Sequence, residues 1–82
     1  MEKGEFLKKL EVELKISKNS PHTIRNYISA NSQLIDFSKK KPNEIIEGDV
    51  KLFMAEKLAE KSSMSSILFL SAIKYAYLNI FN

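Results

Sequence analysis

Cysteine is absent from this chain, which excludes a disulfide staple and thiolate chemistry, and a single histidine, His22, leaves too few donors for a structural zinc site. Only two glycines occur, Gly4 and Gly48, so no glycine-rich loop can cradle a phosphate. There is no His-Glu-x-x-His and no assembled catalytic triad. Tyr75 and Tyr77 have no arginine–histidine set near them in the sequence, and all three tyrosines, Tyr27 included, are ordinary phenols. The carboxylates Glu11, Glu13, Glu56 and Glu60 follow helix-surface patterning. The chain alone is therefore not expected to be an enzyme, and no cofactor or metal is expected. No apolar run reaches the roughly 18 residues of a membrane span, and the mixed-charge start Met1–Glu5 is unlike a secretory leader. The expected location is the cytoplasm.

What is present is an 82-residue chain, 44% hydrophobic, enough for one small domain with a single core and little stability to spare. The net charge of +3 is weak but unevenly placed: residues 15–41 carry +5, from Lys15, Lys18, Arg25, Lys39, Lys40 and Lys41 against Asp36, while residues 42–61 carry −2. A local positive region on a nearly neutral body orients docking on a polyanion. A merely solvated helix surface has the same pattern, so charge alone leaves both readings open.

Hydrophobic periodicity predicts four helices. In residues 3–16, Phe6, Leu7, Leu10 and Leu14 recur at helical spacing, with Glu5 and Lys9 as an i,i+4 pair. Ser20 fits an N-cap and Pro21 the first helical position, opening a second helix over 21–38. Its expected buried stripe is Ile24, Tyr27, Ile28, Leu34 and Ile35, with Asn31 interrupting it and Arg25, Asn26, Ser29 and Gln33 outside. Lys39-Lys40-Lys41-Pro42 ends that helix. The third begins near Glu47-Gly48-Asp49, with Val50, Phe53, Met54 and Leu58 on one face. Serines 62, 63, 65 and 66 offer several caps for a fourth helix that runs to about residue 80. No strand-like alternation competes, so the expected class is all-α, a compact four-helix bundle with short connections.

The fourth helix is apolar on almost every side, broken only by Ser71, Lys74 and Asn79. Such a helix is central or meets a partner on its outer face. Leu68, Phe69, Tyr75, Ile80 and Phe81 are the candidates for that interface, and at least one of Tyr75 and Tyr77 is expected to face outward. The sequence stops at Asn82 directly after Ile80 and Phe81, which fits a module cut from a longer protein. This feature on its own favours a helical protein–protein interaction domain.

The start of the second helix points elsewhere. Ser20, His22, Thr23, Arg25 and Asn26 gather hydroxyl, imidazole, guanidinium and amide groups around the unpaired N–H groups of a helix start, a setting suited to an anion, nucleic acid being the obvious large one. Arg25 can grip a phosphate in a fork or read guanine, and Asn26 can pair with adenine. His22 would act as a neutral donor, since the helix dipole disfavours positive charge there. Each residue also has a plain structural role open to it: capping for Ser20 and Thr23, solvation for Arg25 and His22, core packing for Tyr27. About 18 helical residues span about 27 Å, so Lys39, Lys40 and Lys41 form a separate, secondary basic patch.

The segment Ser20-Pro21-His22-Thr23-Ile24-Arg25-Asn26-Tyr27 resembles the Ser-x-x-Thr-x-x-x-Tyr opening of the second helix in the amino-terminal core-binding (SAM-like) domain of tyrosine recombinases, the phage-type integrases and Xer-type recombinases. The stretch Ile45–Phe53 resembles the opening of that domain's third helix. Residues 62–66, followed by Leu70–Tyr77, resemble the fourth. The resemblance covers about residues 5–80, and archaeal Xer-like members are the most similar, since Leu68 and Phe69 stand where many relatives carry basic residues. It implies a double-stranded DNA-binding module spanning 1–82, one jaw of a clamp around the duplex. The other jaw is a carboxy-terminal catalytic domain, and neighbouring protomers complete the assembly. It also implies that Lys61, Ser62, Ser63, Ser65 and Ser66 lie on the same side as Ser20 and share the DNA contact.

Overall fold

Apolar residues recurring every three or four positions fold the chain into α1 (Lys3–Ile16), α2 (Pro21–Ser38), α3 (Glu47–Ala59) and α4 (Ser66–Phe81), with one 3-10 turn at Pro42–Glu44. The computed structural model describes residues 1–59 and 66–81, and those residues contain no strand. The all-α bundle expected from the periodicity is the fold observed.

The core has two parts that share α2 and α4. Ala30, Leu34, Phe53, Phe69, Ala72 and Ile73 bury one side of the α2–α4 pair against α3. Phe6, Leu10, Leu14, Ile35 and Ala76 bury the other side against α1. The alanines at 30, 72 and 76 keep the two central helices close. That closeness lets the wholly buried Asn31 donate its side-chain amide to the Ala72 carbonyl of α4 at 3.1 Å and to the Tyr27 carbonyl of its own helix at 2.9 Å. The buried centre of α2 is thus Ala30, Asn31, Leu34 and Ile35, while Ile24, Tyr27 and Ile28 are only half-buried. Asn31 is the crossing point rather than an interruption of the stripe.

Aromatic rings join the layers. Phe37, Phe53 and Phe69 form an edge-to-face row with centroids 5.6 and 5.4 Å apart. Phe6, Tyr77 and Phe81 make a second group spanning α1 and α4. Leu58, expected on the inner face of α3, instead lies 70% exposed. The α3 start is held by Asp49, whose carboxylate accepts the Ile46 N–H at 2.9 Å and pairs with Lys40 at 2.9 Å. The Ile46 hydrogen bond, aided by Lys40, holds the Asp49 carboxyl below its ordinary pKa.

The α1–α2 link ends α1 in a Schellman arrangement without glycine. Asn19 N–H reaches the Leu14 carbonyl at 3.1 Å and Lys18 N–H the Lys15 carbonyl at 3.0 Å, with Lys18 at φ 59°. A side chain in that left-handed well costs energy that glycine avoids. Lys18→Gly is expected to stabilise the domain by roughly 0.5–1 kcal/mol, read as a higher denaturant midpoint at unchanged m-value.

Candidate nucleic-acid interface

At the start of α2 the cap predicted from sequence is in place. Ser20 is extended, Pro21 occupies the first helical position, and Ser20 Oγ accepts the Thr23 N–H at 3.2 Å. The same hydroxyl lies 3.1 Å from Thr23 Oγ1, and the Ser20 carbonyl accepts the Ile24 N–H. Since proline has no N–H, the helix-start donors left without a partner among the described residues are those of Ser20 and His22. One turn on, Asn26 Nδ2 lies 3.1 Å from His22 Nε2, a bond that holds when Nε2 accepts and the ring carries its proton on Nδ1. The first turn of α2 contains no acidic residue.

Arg25 is exposed and makes no ion pair with any described residue. It shares a shallow hollow with Pro21, Ile24, Lys15 and Glu11, whose carboxylate lies 3.9 Å from the Lys15 ammonium. Lys18, just before the cap, is likewise exposed and makes no ion pair among the described residues. Sequence reasoning placed Lys18 in the basic stretch but not in the site. The signal was there: with no glycine after α1, some residue of the link had to take the left-handed position that sets it apart from both helices. A helix start with a hydroxyl, N–H groups and exposed cations near it in the chain, and no carboxylate on its first turn, is chemistry suited to an anion, although the Glu11 carboxylate lines the hollow that Arg25 shares.

The other expected members of the site divide. Ser66 opens α4 and is half-buried, while Lys61, Ser62, Ser63 and Ser65 lie outside the described residues. The secondary patch is weaker than its three lysines imply. Lys40 is paired with Asp49 at 2.9 Å and Lys41 with Glu2 at 3.2 Å, leaving Lys39 as the one without an ion pair among the described residues. These pairings join segments distant in sequence, which is why the run of lysines looked unopposed.

The expected outer interface of α4 is also corrected. Phe69 is wholly buried against Phe53 and cannot meet a partner. Tyr75 turns inward, its hydroxyl donating to the Glu13 carbonyl at 3.3 Å and bonded to Ser17 Oγ, while its ring edges onto Tyr27. Tyr77 turns inward too. Its hydroxyl donates to the Pro42 carbonyl at 2.9 Å, and burial pushes its pKa up to about 12, so it stays a neutral donor. Ile80 is half-buried against the core on the α1 side, and Phe81 stacks on Phe6 while remaining partly exposed. Leu68 is half-buried. Among the described residues, the large apolar side chains exposed on α4 are Ile67, Leu70, Leu78 and Phe81, of which only Phe81 was among those expected.

No described group of His, Asp and Glu side chains could hold a metal ion, and no described helix is long and apolar enough to cross a membrane. A search of curated proteins found no match, and neither did a search of solved structures. The family model of the phage integrase N-terminal SAM-like domain matches residues 6–82, the span that holds all the core-forming side chains of the four helices. A match of that extent, on an all-α four-helix bundle, makes this chain a member of the phage integrase N-terminal SAM-like domain family.

Proposed function

We propose that this chain is the double-stranded DNA-binding module of a site-specific tyrosine recombinase, one jaw of a clamp whose other jaw is a separate catalytic domain. The observation that carries the reading is the α2 start of an integrase-family domain: a capped helix terminus flanked by two exposed cations, Lys18 and Arg25, with no carboxylate in its first turn. In this reading Ser20, Thr23 and the His22 N–H receive phosphate, Arg25 grips the backbone or a guanine, and Lys61 with serines 62, 63, 65 and 66 completes the surface. Leu68 and Phe69, standing where many relatives are basic, favour the archaeal Xer-like branch. The chain itself supplies no catalysis.

Duplex binding by the isolated chain is expected to be weak and steeply salt-dependent, with log affinity against log salt sloping by about −4 to −5 if four to six phosphates are engaged. Arg25→Ala should weaken binding about tenfold at low salt and make the slope shallower by about one, with an unchanged circular dichroism spectrum. Lys40→Ala, already paired with Asp49, should matter much less to binding. Equal losses from the two variants, or none from Arg25→Ala, would remove α2 from the interface. A second reading, a helical protein-interaction domain, is favoured by the exposed Ile67, Leu58 and Leu78. It predicts association in sedimentation runs and no duplex binding.

A further inference from the structure

We propose that the apolar groove between α3 and α4 receives an amphipathic helix from a partner, one that places a single carboxylate opposite Lys74. The groove encloses about 640 Å³. Its α3 wall is an i,i+4 ridge of Val50, Met54 and Leu58 with Ile46 just before the helix, and its α4 wall holds Leu70 and Lys74. Ile46, Leu58 and Leu70 are exposed although large and apolar. None of these residues belongs to the α2 start, so the groove does not depend on the DNA-binding reading.

Charge decides the occupant. Glu47 and Lys51 on the α3 wall pair with each other at 3.6 Å and cancel. Lys74 is exposed and makes no ion pair with any described residue. It lies where this groove meets a second apolar hollow lined by Tyr77, Leu78 and Phe81. Among its described lining residues the groove therefore carries one uncompensated positive charge amid apolar side chains. A second copy of the chain docking through α4 is a poor fit for a geometric reason. The exposed stripe Ile67, Leu70, Lys74, Leu78 and Phe81 is symmetric about Lys74. A two-fold pairing that uses the whole stripe, parallel or antiparallel in register, sets Lys74 against its own copy in a desolvating seam. A helix with apolar residues about four and seven positions either side of one Glu or Asp answers both features. The α3 ridge, rising about 1.5 Å per residue, accommodates about three turns of such a helix.

The probe is a labelled synthetic helical peptide of about 15 residues, with leucines at those offsets around a central Glu, and a twin with Lys in place of the Glu. Both are titrated by fluorescence anisotropy against the full 82-residue chain. The Glu peptide is expected to bind at least tenfold more tightly than its twin. Lys74→Glu should invert that preference, and Leu58→Asp, at an exposed position where folding is retained, should abolish binding of both. Arg25→Ala should leave the preference untouched, so loss of the DNA reading and loss of this one remain separate results. Equal binding of the two peptides, no binding of either, or a preference that Lys74→Glu fails to invert would overturn the proposal. So would a wild-type chain that sediments as a dimer which Leu58→Asp makes monomeric, because a second copy would then be the occupant.

Discussion

Asn31→Asp should lower the stability of this domain by about 3–5 kcal/mol at neutral pH, whereas Asn31→Leu should leave it within about 1 kcal/mol of the parent. The two substitutions are similar in size, so the difference is chemical. Asn31 is wholly buried, and its amide nitrogen faces two carbonyl oxygens, those of Tyr27 and Ala72. Its Oδ1 has no hydrogen-bond partner among the described residues. A carboxylate there would present negative charge to the same two carbonyls with nothing cationic to compensate it. Leucine loses both hydrogen bonds but also removes the unsatisfied oxygen. The two carbonyls lie within α2 and α4, where helix N–H groups four residues on can still satisfy them. The pH dependence has a definite sign. Burial raises the pKa of the introduced carboxyl above its unfolded value near about 4. The defect is therefore smallest in acid and grows as pH rises through the folded-state value. Denaturant melts of both variants at about pH 4 and 7 check this. An Asn31→Leu variant as damaged as Asn31→Asp would show that the two amide bonds, not the buried charge, govern the site.

Phe69→Ala should cost about 3–5 kcal/mol, much of the whole stability of a domain this size. Phe69 is fully buried, meets Phe53 edge-on with centroids 5.4 Å apart, and lies under the Lys57 ammonium at 5.8 Å. Truncation opens a cavity where α2, α3 and α4 meet and breaks the ring row that reaches Phe37 through Phe53. Ile67→Ser, two positions earlier on the same helix at a residue 77% exposed, should change stability by less than about 0.5 kcal/mol. Thermal melts of the pair provide the comparison. Similar midpoints for both variants would mean that α4 is rotated relative to the packing described.

These two residues show where reading the chain stops. Ser20-Pro21 marked the start of α2, and Lys41-Pro42 marked its end, because caps and breakers act through neighbours along the backbone. The α1 face Phe6, Leu10 and Leu14 was equally legible, since one side of that helix is apolar and the other is not. On α4 both sides are apolar, so periodicity held no information about which residues go in. Phe69 looked like an outward residue and is a core residue, while Leu70 beside it lines the groove. The α2 half of the candidate site was legible for the same local reason as its cap. The expected meeting of that half with Lys61 and serines 62, 63 and 65 falls outside the described residues.

By itself the sequence determined the number of helices, their approximate ends, the position of the cationic helix start and the family, all of which follow from local backbone chemistry and ordered motifs. The tertiary structure alone decided which face of α4 is buried, that Asn31 spans two helices, and that Lys40 and Lys41 are neutralised by Asp49 and Glu2. Those outcomes depend on groups that approach only once the helices pack. Small residues at the α2–α4 crossing permit the approach, and neither the alanines nor the distant carboxylates announce their partners in the linear order of the chain.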